Sequence, residues 1–395
     1  MSTIVAEQNW IERLRKKGMD DFLSLGFPTT KLEDWKYTNV APIRRTTFIN
    51  GSFAPRFSTP DARLNIHLLP LSEALQDPER SSVIKDHLGR HVDTSRHAFA
   101  AWNTAVFSDG VYLEIPRGVI CEQPIHLDFV AAGSNAPWAC HPRNLIVAGQ
   151  DSQITLVESF IGSDDDVYLT NTVTEIAVGP GAVIDYYKIE RESPRAFHVA
   201  VINAHLARDA NLTSHSMSFG GSLVRNDLNV VLGGEGSHCT LNGLFVVDGQ
   251  RLVDNHTRID HVRPHASSRE LYKGVLAGSG EGVFNGAIAV HENAQKTDAV
   301  QHSKNLLLSR EAQINTKPQL EIRNNDVRCF HGAAIGQIDT EAVFYLKSRG
   351  IAEWDAKRIL VSGFAGEVID SIRVSAVRDQ LEHLMEGWFQ SVLEA

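Results

Sequence analysis

In the middle of the chain, short runs of alternating apolar and polar residues recur at a nearly fixed distance. Each begins with a small residue after a turn, at Ser152, Ala182, Ala210, Ser237, Ala266 and Ala294, in steps of 30, 28, 27, 29 and 28. The turns read Gly149-Gln150-Asp151, Gly179-Pro180-Gly181, Ala207-Arg208-Asp209 and Gly234-Glu235-Gly236. A period near 28 held over about 160 residues marks a stacked repeat in which each coil buries its apolar face on the next. The filling is β-type: Val173 to Val178 and Leu228 to Leu232 are rich in Val, Ile, Thr and Leu and lack a helical period. The expected core is a right-handed parallel β-helix, a β-solenoid, in a mainly β chain.

The flanks have a different rhythm. Residues 3–26 space Trp10, Ile11, Leu14, Phe22, Leu23 and Leu25 as a helix does and stop at Gly26 and Pro28. Prolines then break up the stretch to residue 100, leaving short helices such as Leu71 to Leu75 and Ser82 to Leu88. First strands are expected at Val111 to Ile115 and Ile125 to Val130. After the repeat, Ala352 to Asp370 and Val374 to Leu393 return to helical spacing. The chain thus divides into an N-terminal helical or irregular unit (1–100), a β-helix core (101–345) and a C-terminal helical unit (346–395). The two helical parts are expected to cap the ends of the solenoid. Strands near Gln319 to Ile322 and Val343 to Leu346 are expected at its C-terminal end, where an unpaired edge invites another chain.

Composition narrows the function. The 395 residues are 43% hydrophobic and 22% charged, enough for two or three globular domains. A net charge of −10 argues against a nucleic-acid partner. Cysteines 121, 140, 239 and 329 form no CxxC, which argues against a self-contained four-cysteine metal site and suits a reducing compartment. Met1 to Trp10 has no signal-peptide pattern, and no apolar stretch approaches the ~20 residues that span a bilayer. A cytoplasmic chain with no membrane segment is expected.

Three groups of residues invite a chemical reading. Cys329 and His331 are two apart, so in a strand they share a face, and a thiol beside an imidazole suits a soft metal or a sulfur-bearing ligand. His256, His261 and His265 cluster beside Asp254 and Asp260, in a chain with 17 histidines. Asp227, Asp254 and Glu281 are each 27 apart. Stacked on adjacent coils, they would suit acid–base attack on a glycosidic bond, although Asn226-Asp227 and Asp254-Asn255 also read as turns. No P-loop occurs, and the glycine-rich stretches Gly233 to Gly236 and Gly278 to Gly282 fall at repeat turns before strands.

Specific segments then carry a resemblance. They are Glu33-Asp34-Trp35-Lys36-Tyr37-Thr38, Lys296 to Ala299, Asn305 to Ser309, Thr316 to Ile322, Asp326 to Ala333 and Phe344 to Ile351. Together they resemble the SufB/SufD family of iron–sulfur cluster assembly scaffolds. They resemble its SufD side more, because Cys329-Phe330-His331-Gly332-Ala333 stands where the SufB side has a His-Glu-Ala motif. The resemblance implies a non-enzymatic subunit that pairs with SufB through the ends of the β-helices and binds the SufC ABC-type ATPase through its C-terminal helices. It implies no stably bound cofactor. A transient iron–sulfur cluster would form at the junction, with His331 and Cys329 as its candidate metal ligands here and reduced flavin as a candidate electron source. Pairing of the chain with a second copy stays open. On the helix after 352 the apolar positions exceed one buried face, so Phe364, with Gly363 and Gly366 beside it, is the expected centre of the ATPase contact. The alternative is a β-helix carbohydrate enzyme using the carboxylates at 227, 254 and 281.

Overall fold

The computed structural model describes residues 65–131, 138–162 and 166–393, together with Trp10, Arg13, Leu14, Lys17 and Asp21. The expected helix over 3–26, those five positions apart, and the Glu33 to Thr38 segment lie outside the described residues.

The repeat is built on one corner. Asp151, Gly181, Asp209, Gly236, His265 and Lys296 take φ between 55 and 70°. The backbone N–H of each bonds a carbonyl of the next coil's turn, as Asp151 does to Pro180 at 2.9 Å and Lys296 to Asp326 at 2.7 Å. The residue after each corner is at most 1% exposed: Ser152, Ala182, Ala210, Ser237, Ala266 and Thr297. A larger side chain would have no room there. The sixth position is Thr297, not the expected Ala294, because Ser267 pairs with Asp298. Ala294 instead accepts the Thr297 hydroxyl at 2.8 Å, as Gly149 accepts that of Ser152 and Gly234 that of Ser237.

Between corners the chain runs in two sheets, parallel except for the antiparallel edge strand His67–Pro70, making a parallel β-solenoid of about seven turns. The first sheet contains β1 (His67–Pro70), β2 (Val111–Ile115), β5 (Arg143–Ala148), β7 (Tyr168–Val178), β9 (Phe197–Leu206), β11 (Leu223–Leu232), β13 (Leu252–His261), β15 (Glu281–Val290) and β17 (Gln313–Ile322), with β4 (Trp138–Cys140) also on β7. The second runs β3 (Ile125–Ala131), β6 (Gln153–Gly162), β8 (Val183–Arg191), β10 (Asn211–Ser218), β12 (His238–Val247), β14 (Ser267–Leu276), β16 (Asp298–Leu307) and β18 (Arg328–Gln337). Alternate side chains point inward. Ile176, Ile202, Leu228 and Ile259 of the first sheet meet Ile184, Leu212 and Leu241 of the second in one continuous core.

The outer faces are covered by helices. Helices α1 (Leu71–Ala74), α2 (Pro78–His87) and α3 (Ala98–Val106) lie on the first sheet, where Phe99 and Trp102 pack on Leu169 and Val199. Helix α4 (Thr340–Ser348) follows β18, and α5 (Glu353–Ile369) and α6 (Ser375–Leu393) form a pair. That pair is not a terminal cap. Val361, Ala365, Val368, Leu381 and Phe389 share one apolar cluster with Tyr187, Met217, Leu244, Val246 and Val275 on the outer face of the second sheet. The expected strand at Val343 to Leu346 is also helix, part of α4: the Asp339 carboxylate accepts the N–H groups of Glu341 and Ala342, and that cap outweighs the β-prone Val343-Phe344-Tyr345. Among the described residues no helix is long and apolar enough to cross a membrane.

Candidate functional site

The solenoid ends in two strands, each bonded on one edge only: β17 to β15 and β18 to β16. Cys329 and His331 lie on β18, opposite Ala299 and Gln301 of β16. Both of those partners are buried inward, so the thiol and the imidazole share the inner face at the open mouth of the last coil, as their spacing predicts. Cys329 is half-buried against the core, and burial, then the Asp298 carboxylate, push its thiol up from the usual range. The sulfur is therefore held protonated until a metal ion or a cationic neighbour displaces the proton. His331 is exposed. Phe330 points the other way, 57% exposed, with its ring centroid 5.4 Å from that of His302. Exposed Ile322 and Ile335 extend the apolar rim.

One layer down is a feature that sequence reasoning missed. Gln301, below His331 in the same column, donates from Nε2 to Glu270 Oε2 at 2.6 Å. Both residues are buried, and neither Glu270 Oε1 nor the amide oxygen of Gln301 has a hydrogen-bond partner. Burial pushes the Glu270 carboxyl up to about 7, against the pull of its hydrogen bonds. Gly286 makes the room, since a Cβ there would come within 2.3 Å of Gln301 Nε2. The signal was present as a charged residue at an inward position of Ser268-Arg269-Glu270-Leu271-Tyr272, but its partner is 31 residues away.

The other candidates do not assemble. Asp227 pairs in register with His256, Asp254 with Arg225, and Glu281 with Leu252, so the three carboxylates form no ladder. The spacing of 27 is two short of the 29-residue step between these coils. Arg225 bonds both Asp227 and Asp254 at 2.6 Å. Burial opposes ionisation of Asp227, yet the guanidinium outweighs it and holds the carboxyl well below the usual range. Such carboxylates are spent on an ion pair and are poor proton donors. The histidines also diverge: His256 lies 3.0 Å from Asp254, buried His261 contacts Ser268, and His265 is a corner residue. No group of three or more His, Cys, Asp or Glu among the described residues is arranged to hold a metal ion.

On the C-terminal helices, Phe364 is turned toward the solenoid and is not an outward anchor. Lys273 Nζ, nearly buried and ion-paired to Glu367, sits 4.4 Å from its ring centroid and donates to its carbonyl at 2.7 Å. Gly363 and Gly366 do face out, with open space over Gly363. They line a groove of 390 Å³ between α5 and α6, with Arg358, Met385 and Phe389.

The described residues thus form a parallel β-solenoid whose last strands have open edges, with the Cys329 thiol and the His331 imidazole side by side at its mouth. Residues 129–364 match the family model described as "SUF system FeS cluster assembly, SufBD core domain", and residues 42–127 match "SufBD protein N-terminal region". The iron-sulfur cluster assembly protein SufD of Escherichia coli is 30% identical, over 92% of this chain and 89% of that protein. The SufD of Bacillus subtilis is 25% identical over 96% and 94%, and a SufBD family protein of Synechocystis is 28% identical over 93% and 89%. The chain belongs to the SufBD family of iron–sulfur cluster assembly proteins.

Proposed function

We propose that this chain is the non-catalytic, SufD-type half of the scaffold, pairing with SufB across the open edges of β17 and β18 and receiving the SufC ATPase on its C-terminal helices. The observation that carries this reading is the site at the mouth: Cys329 and His331 share the inner face of a terminal strand whose free edge is rimmed by exposed Phe330, Ile335 and Ile322. Strand addition there would bury that apolar rim and bring the partner's ligands to the two donors. The nascent cluster is cargo at this junction, and reduced flavin, as electron source, is assigned to no residue of this chain. A second copy of this chain could use the same edge. The ATPase contact moves from Phe364 to the groove that Gly363 and Gly366 leave open.

The carbohydrate-enzyme reading loses Asp227 and Asp254 to Arg225, and Glu281 stands out of register with both. The test is His331→Ala, since alanine can neither ligate iron nor hold a sulfur intermediate. The variant is expected to fold, to copurify with SufB and SufC, and to fail to support cluster assembly in cells. Full complementation by the variant would remove His331 from the site.

A further inference from the structure

Beneath His331 the inner face of the second sheet turns polar. Leu241 of β12, Glu270 of β14, Gln301 of β16 and His331 of β18 stand in one register column. Leu241 belongs to the apolar core, so the column points inward and becomes polar only in its last layers. Neighbouring strands lie about 4.8 Å apart, which makes Gln301 the layer on which the His331 side chain rests. We propose that Gln301 is a positioning residue for His331: when a partner covers the mouth, its amide oxygen accepts one ring N–H and so directs the other ring nitrogen, with its lone pair, to the cluster. This rests on the reading of His331 as a ligand given above.

Gln301 is fully buried, and its amide oxygen has no hydrogen-bond partner. A buried acceptor without a donor costs stability, so its retention beside an exposed imidazole calls for a use. The nitrogen end of the amide is already committed, since Nε2 donates to Glu270 Oε2 at 2.6 Å. That bond turns the nitrogen toward β14 and leaves the oxygen as the end available to β18, on the other side of β16. Gly286 on the facing sheet gives the amide its place: a Cβ there would come within 2.3 Å of Gln301 Nε2 and 2.9 Å of its Cδ.

An acceptor is what a ligating imidazole requires on its far side. In the neutral ring one nitrogen carries the proton and the other the lone pair. A carbonyl oxygen below the ring holds the N–H edge inward, and the lone pair then faces out of the mouth. An amide free to rotate would present its NH2 group as readily, which would draw the lone pair inward instead. Glu270 blocks that rotation by holding the amide nitrogen. The other donor, Cys329, stands over Ala299 and has no such support. It needs none, because a thiolate has no tautomer to select.

The test is a crystal structure of the full chain in complex with its partner scaffold subunit, paired with anaerobic cluster reconstitution on the copurified complex. In the wild-type complex a His331 ring nitrogen is expected about 2.7–3.2 Å from Gln301 Oε1. Gln301→Met removes the acceptor and should slow cluster formation about tenfold or more, with copurification unchanged. That variant alone strands the Glu270 carboxyl, so the double variant Glu270→Met with Gln301→Met, which removes both polar partners together, is measured beside it. Glu270→Gln still accepts the amide N–H and should keep the His331 ring in its wild-type position. A ring turned away from Gln301 in the wild-type complex, or cluster formation at the wild-type rate by the double variant, overturns the proposal. His331→Ala separates the two readings. Normal assembly by His331→Ala removes the ligand itself, whereas loss in His331→Ala beside normal assembly by the double variant removes only its support.

Discussion

Glu270 is a buried carboxylate whose energetic effect can be isolated. Its pKa is pushed up to about 7 by burial, against an ordinary value of 4.5. A group with a raised folded-state pKa favours folding below its unfolded value, and that contribution is lost as pH rises through the folded value. The window is therefore pH 4.5 to about 7. At 1.36 kcal/mol for each pKa unit, ionising Glu270 inside the solenoid costs on the order of 3 kcal/mol by pH 8. Glu270→Gln keeps the shape and the hydrogen-bonding capacity but cannot ionise. The wild-type chain should accordingly lose about 2–3 kcal/mol more stability than Glu270→Gln on going from pH 5 to pH 8, since pH 5 already lies above the unfolded value. Urea unfolding of both proteins at the two pH values measures this double difference. The comparison cancels Glu192, which burial also pushes to about 7, and cancels His141, His215 and His261, which burial lowers to about 4 and which act in the opposite direction. Parallel pH profiles for the two proteins would refute the burial argument.

Two further outcomes follow from packing. Arg225→Met leaves Asp227 and Asp254 buried without their counter-charge and should destabilise the chain by about 3–5 kcal/mol in urea unfolding; adding Asp227→Asn and Asp254→Asn should recover much of it. Deleting residues 352–395 uncovers Val246, Val275, Leu244 and Met217 on the second sheet. The truncated chain should bind an apolar dye strongly and self-associate on gel filtration, whereas a monomer without dye binding would show that the helices are dispensable to the solenoid.

The parts of the fold legible in the sequence were those governed by local period. β2 falls at Val111–Ile115 and α5 and α6 fall within a residue of the expected bounds, because alternation and helical spacing are properties of neighbours. Helix α3 was missed: Ala98 to Asn103 are all buried, so the segment has no polar face to betray its period. The smallness of Ala294 predicts it as the residue after a corner, but that coil is longer, so the corner is Lys296 and Thr297 follows it. The same cause undid the carboxylate ladder, since a fixed 27-residue count ignores coils whose steps vary. At the site, the shared face of Cys329 and His331 was readable from a spacing of two. The Glu270–Gln301 contact and the inward turn of Phe364 onto Lys273 were not, because each joins residues far apart in the chain.

The way α5 is fastened has a mechanical consequence. Glu367 grips two neighbouring strands at once, Lys273 on β14 and Lys304 on β16, the latter at 3.1 Å. Among the described residues β16 is the only strand bonded to β18, and Lys304 lies three residues along it from Gln301, the register partner of His331. A sheet transmits displacement along its hydrogen-bonded direction with little slack, since each strand is tied to the next at every second residue. A load applied to α5 therefore arrives at the strand beneath His331 through one ion pair and one ladder, without crossing the solenoid's interior. The helix pair is thereby tied, on the outside of the solenoid, to the strand that carries the register partner of His331.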